Sequence, residues 1–241
     1  MNISTSRSVI LLACVASTFV PATRAAENPD TLKQQILAQA RAVGPEDFAF
    51  TRTVRSEEIT TTKTEQHVLI EKWDPSKSSD QRWTFVSIDG RPPNADELGK
   101  YRKSVPARRG TSYGRVAEYF GASATTSIDA KRRTVFSFAK LPKGTVLIKD
   151  VDLSGDSKAE AIVGEEQGTT FVQEVRFTSE KATRLKLIAV IERFDATTRY
   201  RLMPNGKPVT SEQTTDMVGS LLGKHGRIRT TISYSEQRAA R

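Results

Sequence analysis

The sequence predicts an α+β fold. Its main element is a strongly curved, mainly antiparallel β-sheet, an incomplete barrel of about 11 strands wrapped over an N-terminal helix and a short inserted helical segment. Three observations predict it. Strand-length runs with period-two alternation follow one another from Asp47 to Tyr234, joined by short turn-forming stretches. One helical stripe precedes them. No regular strand–helix–strand alternation occurs, and parallel doubly wound sheets need that alternation for their crossovers.

The first helix follows Asn28-Pro29. Leu32, Ile36, Leu37, Ala40 and Val43 fall on one stripe, Thr31 and Gln34 fit a capping box, and Gly44-Pro45 ends the pattern. The period then changes to two. Asp47–Arg55 alternates with Phe48, Phe50 and Val54 on one face, and Thr61–Lys72 is rich in threonine and branched residues up to Asp74-Pro75. Arg82–Ile88 alternates again and stops at Asp89-Gly90, a turn dipeptide. A second helix is expected over Ala95–Lys103, capped by Asn94 with Glu97 at the reciprocal position. A third covers Tyr113–Phe120 and is closed by Gly121. Eight further strands are expected near Thr134–Ala139, Thr145–Lys149, Ala159–Val163, Thr169–Phe177, Arg184–Phe194, Thr197–Met203, Lys207–Thr215 and Arg227–Tyr234. Pro204-Asn205-Gly206 makes a hairpin between two of them, since asparagine and glycine tolerate positive φ.

Residues 1–25 read as a bacterial-type secretory signal. Arg7 sits in a polar start, Val9–Val20 is apolar, and Thr23 and Ala25 stand at −3 and −1 of a cleavage site after Ala25. The apolar run is too short for a membrane span. Leu11-Leu12-Ala13-Cys14 resembles a lipobox, so a lipid anchor at Cys14 is the alternative to cleavage near Ala25. With cleavage, residues 26–241 are expected to form a single antiparallel-sheet domain without cysteine, its helical segment inserted around 91–125. A periplasmic location follows, and export excludes cytosolic nucleotide chemistry. Loss of Arg7 and Arg24 lowers the formal charge from +9 to +7. Basic clusters at Lys100-Tyr-Arg-Lys103, Arg108-Arg109 and Lys131-Arg-Arg133 suit an anionic membrane surface, and no nucleic-acid motif accompanies them. No later apolar run reaches 18 residues, so no transmembrane span is expected in the mature chain, which reads as a monomer.

Phe48-Ala-Phe-Thr-Arg52, opening the first strand, and Gly226-Arg-Ile-Arg-Thr-Thr-Ile-Ser-Tyr234, closing the last, carry a resemblance. With the leading helix, the three long strands, the inserted helices and the long antiparallel run, the chain resembles the periplasmic lipoprotein-carrier family. That family includes the carriers, their outer-membrane acceptor and a related envelope-stress sensor. The resemblance implies a curved incomplete barrel around helices, with an apolar cavity for acyl chains. It transfers no functional residue.

The aromatic alternation supports a non-catalytic binding protein for an apolar ligand, with Phe48, Phe50, Trp83, Phe85, Phe136 and Phe138 lining the cavity, and the resemblance implies that the ligand is a lipid or lipoprotein acyl chain. The second reading is an envelope-associated domain that docks a protein partner. A third, minor reading takes Gly110-Thr-Ser112-Tyr-Gly114 as a hydrolase nucleophile motif, with Asp216 and His225 following in the chain order of such enzymes. Its context is wrong, because a basic, proline-broken stretch precedes Ser112 where a buried strand is needed. Asp150–Asp156 looks like a calcium loop, but Ala161 stands where a bidentate glutamate belongs. His67 and His225 lack a second histidine at metal spacing. Glu57-Glu58 and Glu165-Glu166 are carboxylate pairs expected in solvated turns. No enzyme, cofactor or metal is expected.

Overall fold

Asn28 caps the first helix, its Oδ1 accepting a hydrogen bond from the Asp30 amide, because Pro29 at the first position has no amide to satisfy. The helix therefore starts earlier than a Thr31–Gln34 capping box requires. The computed structural model describes residues 28–104, 111–148, 151–179, 181–185 and 189–240, without the side chains of Leu185 and Leu221. Residues 1–27, with Cys14 and Ala25, the Arg108-Arg109 pair and Asp150 lie outside the described residues.

In chain order the elements are α1 (Pro29–Arg41), β1 (Phe48–Thr60), β2 (Thr64–Trp73), β3 (Trp83–Ile88) and α2 (Ala95–Ser104). A 3-10 turn at Tyr113–Arg115 runs into α3 (Val116–Phe120). There follow β4 (Thr125–Ile128), β5 (Thr134–Phe138), β6 (Leu147–Ile148), β7 (Val151–Asp152), β8 (Lys158–Glu166) and β9 (Thr169–Ser179). The chain ends with β10 (Thr183–Leu185), β11 (Ala189–Leu202), β12 (Pro208–Leu221) and β13 (Lys224–Ala239).

Eleven strands form one sheet in the order β3-β2-β1-β13-β12-β11-β9-β8-β5-β4, with β10 added beside β11, and every pairing is antiparallel. The ends β3 and β4 do not meet, so the curved sheet stays open. β6 and β7 form a separate ribbon. The class and size of the sheet are as expected, but its membership differs. The segments read as Arg184–Phe194 and Thr197–Met203 are the short β10 and one long β11. Asp195-Ala196 does not break β11, because Asp195 pairs outward with Arg193 at 3.0 Å. β4 was not expected; all four of its residues are exposed, so no apolar face announces it. Of Thr145–Lys149, the described residues contribute only Leu147–Ile148, to the ribbon.

Local chemistry holds where it is self-contained. Asn94 Oδ1 accepts from the Glu97 amide at 2.9 Å while Glu97 Oε2 accepts from the Asn94 amide at 2.8 Å, which completes the capping box of α2. The Met203 amide donates to Lys207 O and Gly206 adopts φ 75°, closing the β11–β12 hairpin.

Helices α1 and α3 pack on one face of the sheet. Leu32, Ile36, Leu37 and Ala40 of α1 meet Val116, Tyr119 and Phe120 of the α3 segment over Phe136, Phe138, Phe171, Val175, Phe177 and Phe194. Fully burying each such side chain contributes about 1.5–3 kcal/mol. A second, smaller cluster lies at the other end of the sheet: Phe50, Trp73, Trp83, Tyr101 and Tyr234, with Tyr101 supplied by α2.

Candidate functional site

Residues directly opposite each other in antiparallel strands point to the same face. The pairing registers therefore trace rows across the sheet. On the helix-bearing inner face one row runs Thr198, Gln213, Ile232, Val54, Leu69 and Ile88. The next runs Ala196, Thr215, Thr230, Ser56 and His67. The third runs Phe194, Met217, Ile228, Glu58 and Glu65. Apart from Ile228 and the three tip residues His67, Glu58 and Glu65, these side chains are buried or half-buried, and the charge is confined to that tip.

The outer face is its opposite. Glu174, Arg199, Glu212 and Ser233 form one row, and Asp195, Asp216, Arg229 and Glu57 another. Arg199 bridges Glu174 at 3.0 Å and Glu212 at 2.5 Å. Arg229 reaches Glu57 at 3.3 Å, and Arg227 clamps Asp216. The Arg227 hydrogen bond holds the Asp216 carboxyl below its usual range, helped by the charges of Arg227, Arg229 and Arg193. One face is a lattice of ion pairs facing water, and the other carries, between its charged tip and the Arg52–Glu71 pair, a floor of apolar, hydroxyl and amide side chains without charge.

The floor ends against the smaller aromatic cluster. Glu71 is fully buried there, and its Oε2 accepts a hydrogen bond from Arg52 Nε at 2.7 Å and lies 2.6 Å from Nη2 in the same ion pair. The Arg52 guanidinium lies 4.4 Å from the Trp83 ring centre. Phe50 meets Tyr234 and Trp83 edge-on at 5.3 and 5.9 Å, Trp73 lies 5.1 Å from Trp83, and Phe85 stacks on Tyr101 at 4.8 Å. Tyr234 Oη donates to Gln213 Oε1 at 2.6 Å, joining the cluster to the first floor row. Burial pushes the Tyr234 hydroxyl above its ordinary range. A small recess of about 10 Å³ opens between the starts of β1 and β12 and the Tyr113 turn. Val43, Phe48, Phe50, Val209 and Gln237 are among its walls.

The six aromatic residues expected to line one cavity are divided. Phe48, Phe136 and Phe138 belong to the core under α1 and α3, where Phe120 meets Phe136 at 5.2 Å and Phe138 at 5.3 Å. Phe50, Trp83 and Phe85 belong to the aromatic cluster. Phe48 and Phe50 alone among the six border the recess. Of the floor residues, the sequence places Val54 on one face with Phe48 and Phe50, but it does not mark Ile232, Thr215 and Met217 as its neighbours. Their signal lies in Arg227–Tyr234, where Ile228, Thr230, Ile232 and Tyr234 alternate with Arg227, Arg229, Thr231 and Ser233.

The hydrolase triad is not assembled. Ser112 Oγ donates to Val43 O at 2.7 Å and accepts from the Gly114 amide at 2.9 Å, so it is a turn cap. A Cβ on Gly114 would stand 2.6 Å from Val43 O, which accounts for the second glycine of the motif without catalysis. Ser112 sits beside Thr210, because the hydroxyls of Thr111 and Thr210 are 3.1 Å apart. Asp216 is six residues further along β12, about 20 Å at ~3.3 Å per residue. His225 pairs opposite Ser220, about 13 Å beyond Asp216, and contacts Glu192 at 3.1 Å.

The calcium-loop reading fails in a similar way. Asp152 spends one carboxylate oxygen on Ser154 and the other on the Gly144 amide, and Asp156 pairs with Lys181. His67 bonds Asp89 at 3.0 Å. Among the described residues no group of three or more His, Cys, Asp or Glu side chains is placed to hold a metal. Glu57 and Glu58 lie within β1, not in a turn, and point to opposite faces.

Fold and floor together define a class: an open antiparallel-sheet α+β protein whose helix-bearing face carries uncharged rows between the Arg52–Glu71 pair and a charged tip. No protein-family model and no curated protein sequence matches the chain. Among solved structures it is similar to a LolA superfamily protein from Nitrosomonas europaea, with 12% identity over 87% of this chain and 93% of that one, at a TM-score of 0.37.

Proposed function

We propose that this chain is an exported, non-catalytic binding protein that holds the acyl chain of a lipid or lipoprotein against the inner face of its sheet. The segregation of charge supports the reading: the floor rows carry none until their tip, while the outer rows are cross-linked by ion pairs. Solubility alone accounts for the outer face. It does not account for an uncharged floor extending past the edge of the core at Phe194 and Met217. Each methylene laid on that floor contributes about 0.8 kcal/mol. Ten of them contribute roughly 8 kcal/mol before the cost of association, which suits reversible binding. Phe50, Trp83 and Phe85 form the closed aromatic end of the ligand site in this reading, and Val54, Ile232 and Met217 its base.

Native mass spectrometry of the gently purified chain is expected to reveal co-purified lipid, and a fluorescent fatty acid is expected to bind and be displaced by unlabelled acyl chains. V54D and I232D, which place a carboxylate on the floor, should weaken the probe at least tenfold. T231D, one residue away on the outer face, should leave it unchanged. A clean apo mass together with no probe binding by the unsubstituted chain overturns the proposal.

A further inference from the structure

Helix α2 lies at the aromatic end of the floor and carries cations that no acid among the described residues neutralises. Tyr101 is buried and stacks on Phe85, so it fixes which side of the helix faces the sheet. At about 100° per residue, Lys100 and Arg102 then fall to either side of Tyr101 and Lys103 points away from the sheet. Leu98, one turn back on the Tyr101 side, is half-buried, as that orientation requires. Lys100, Arg102 and Lys103 are all exposed, and none pairs with an acid among the described residues. The acids of α2, Asp96 and Glu97, sit in its first turn, and Glu97 is taken up by Arg91 at 2.7 Å. On the sheet's outer face, by contrast, Arg176, Arg193, Arg199, Arg227 and Arg229 are bridged to carboxylates, while Arg55 there pairs with no acid among the described residues. Favourable interaction with the helix C-terminus explains why cations gather in the last turn, but leaves their charge directed at solvent.

We infer that the Lys100, Arg102 and Lys103 face of α2 docks the protein onto an anionic lipid bilayer, bringing the aromatic end of the acyl-binding floor to the membrane. This rests on the acyl-binding reading only for what the docking serves. The attraction itself stands on the unpaired charge, since each Lys or Arg near an anionic surface strengthens binding several-fold.

Co-sedimentation of the purified chain with phosphatidylglycerol–phosphatidylcholine vesicles tests it. The unsubstituted chain should bind those vesicles, bind pure phosphatidylcholine weakly, and release as salt rises toward a short Debye length. K100Q/R102Q/K103Q should lose affinity for the anionic vesicles by about a hundredfold. K131Q/R132Q/K140Q, an equal charge change around β5, should lose less than about threefold. Equal losses by the two variants, or equal binding to neutral vesicles, overturn the inference. The α2 variant should also bind the fluorescent fatty acid in solution as the unsubstituted chain does, which separates failure of docking from failure of the acyl-binding reading.

Discussion

Glu71 is buried against Arg52, which sits opposite it in register, donates a hydrogen bond to its Oε2 and pairs with the same oxygen through Nη2. Removing one partner of such a pair strands the other charge, an effect of about 3–5 kcal/mol. E71Q should therefore lower stability by about 3 kcal/mol in urea unfolding, with the R52M/E71L double variant recovering most of it. Equal losses for the single and double variants would mean that packing, not the uncompensated charge, is at stake. Nothing in the sequence marked this pair. Arg52 and Glu71 each sit at an inward position of a strand, and only the β1–β2 register places one opposite the other.

Elements differ in how much of their making lies close by in the chain. The capping box of α2 and the Pro204–Gly206 turn were legible because every group involved lies within a few residues. The path of β11 was not. Its bulge between Ile191 and Arg193 brings the strand backbone against Gly219 of β12. A Cβ there would collide with the Val190 carbonyl oxygen, so the glycine answers to a strand about thirty residues away in sequence. G219V should destabilise the chain by about 2 kcal/mol through forced backbone movement. Urea unfolding checks this, and an unchanged midpoint would mean that the two strands separate freely at the bulge.

For the whole molecule, carboxylates held in ion pairs, on the outer face of the sheet and at the start of α2, set the response to acid. The Asp216 carboxyl is held below 3.8 by its hydrogen bond from Arg227, and Glu97 is lowered from 4.5 to about 2 by its hydrogen bond from Arg91 and the Asn94 amide. A folded pKa below the unfolded one contributes stability that is complete above the unfolded value and disappears as pH falls through the folded value. Urea midpoints should therefore be flat from pH 7 to about 5 and fall steadily toward pH 2. D216N should flatten part of that slope. A midpoint that rises on acidification would contradict the role given to these pairs.

The sequence by itself determined the class of fold, the near-antiparallel succession of strands, the inward stripe of α1, the cap of α2 and the hairpin before Lys207. All of these follow from periodicity and turn chemistry, which neighbouring residues settle among themselves. Tertiary structure alone decided which aromatics share a cluster, that Ser112, Asp216 and His225 lie apart, and that β11 runs unbroken. It also decided that Ile232 and Val54 meet on an uncharged floor while Glu57 finds Arg229 behind it. Alternation tells a strand that it has two faces. What lies on each depends on register between residues more than a hundred positions apart, such as Val54 and Ile232.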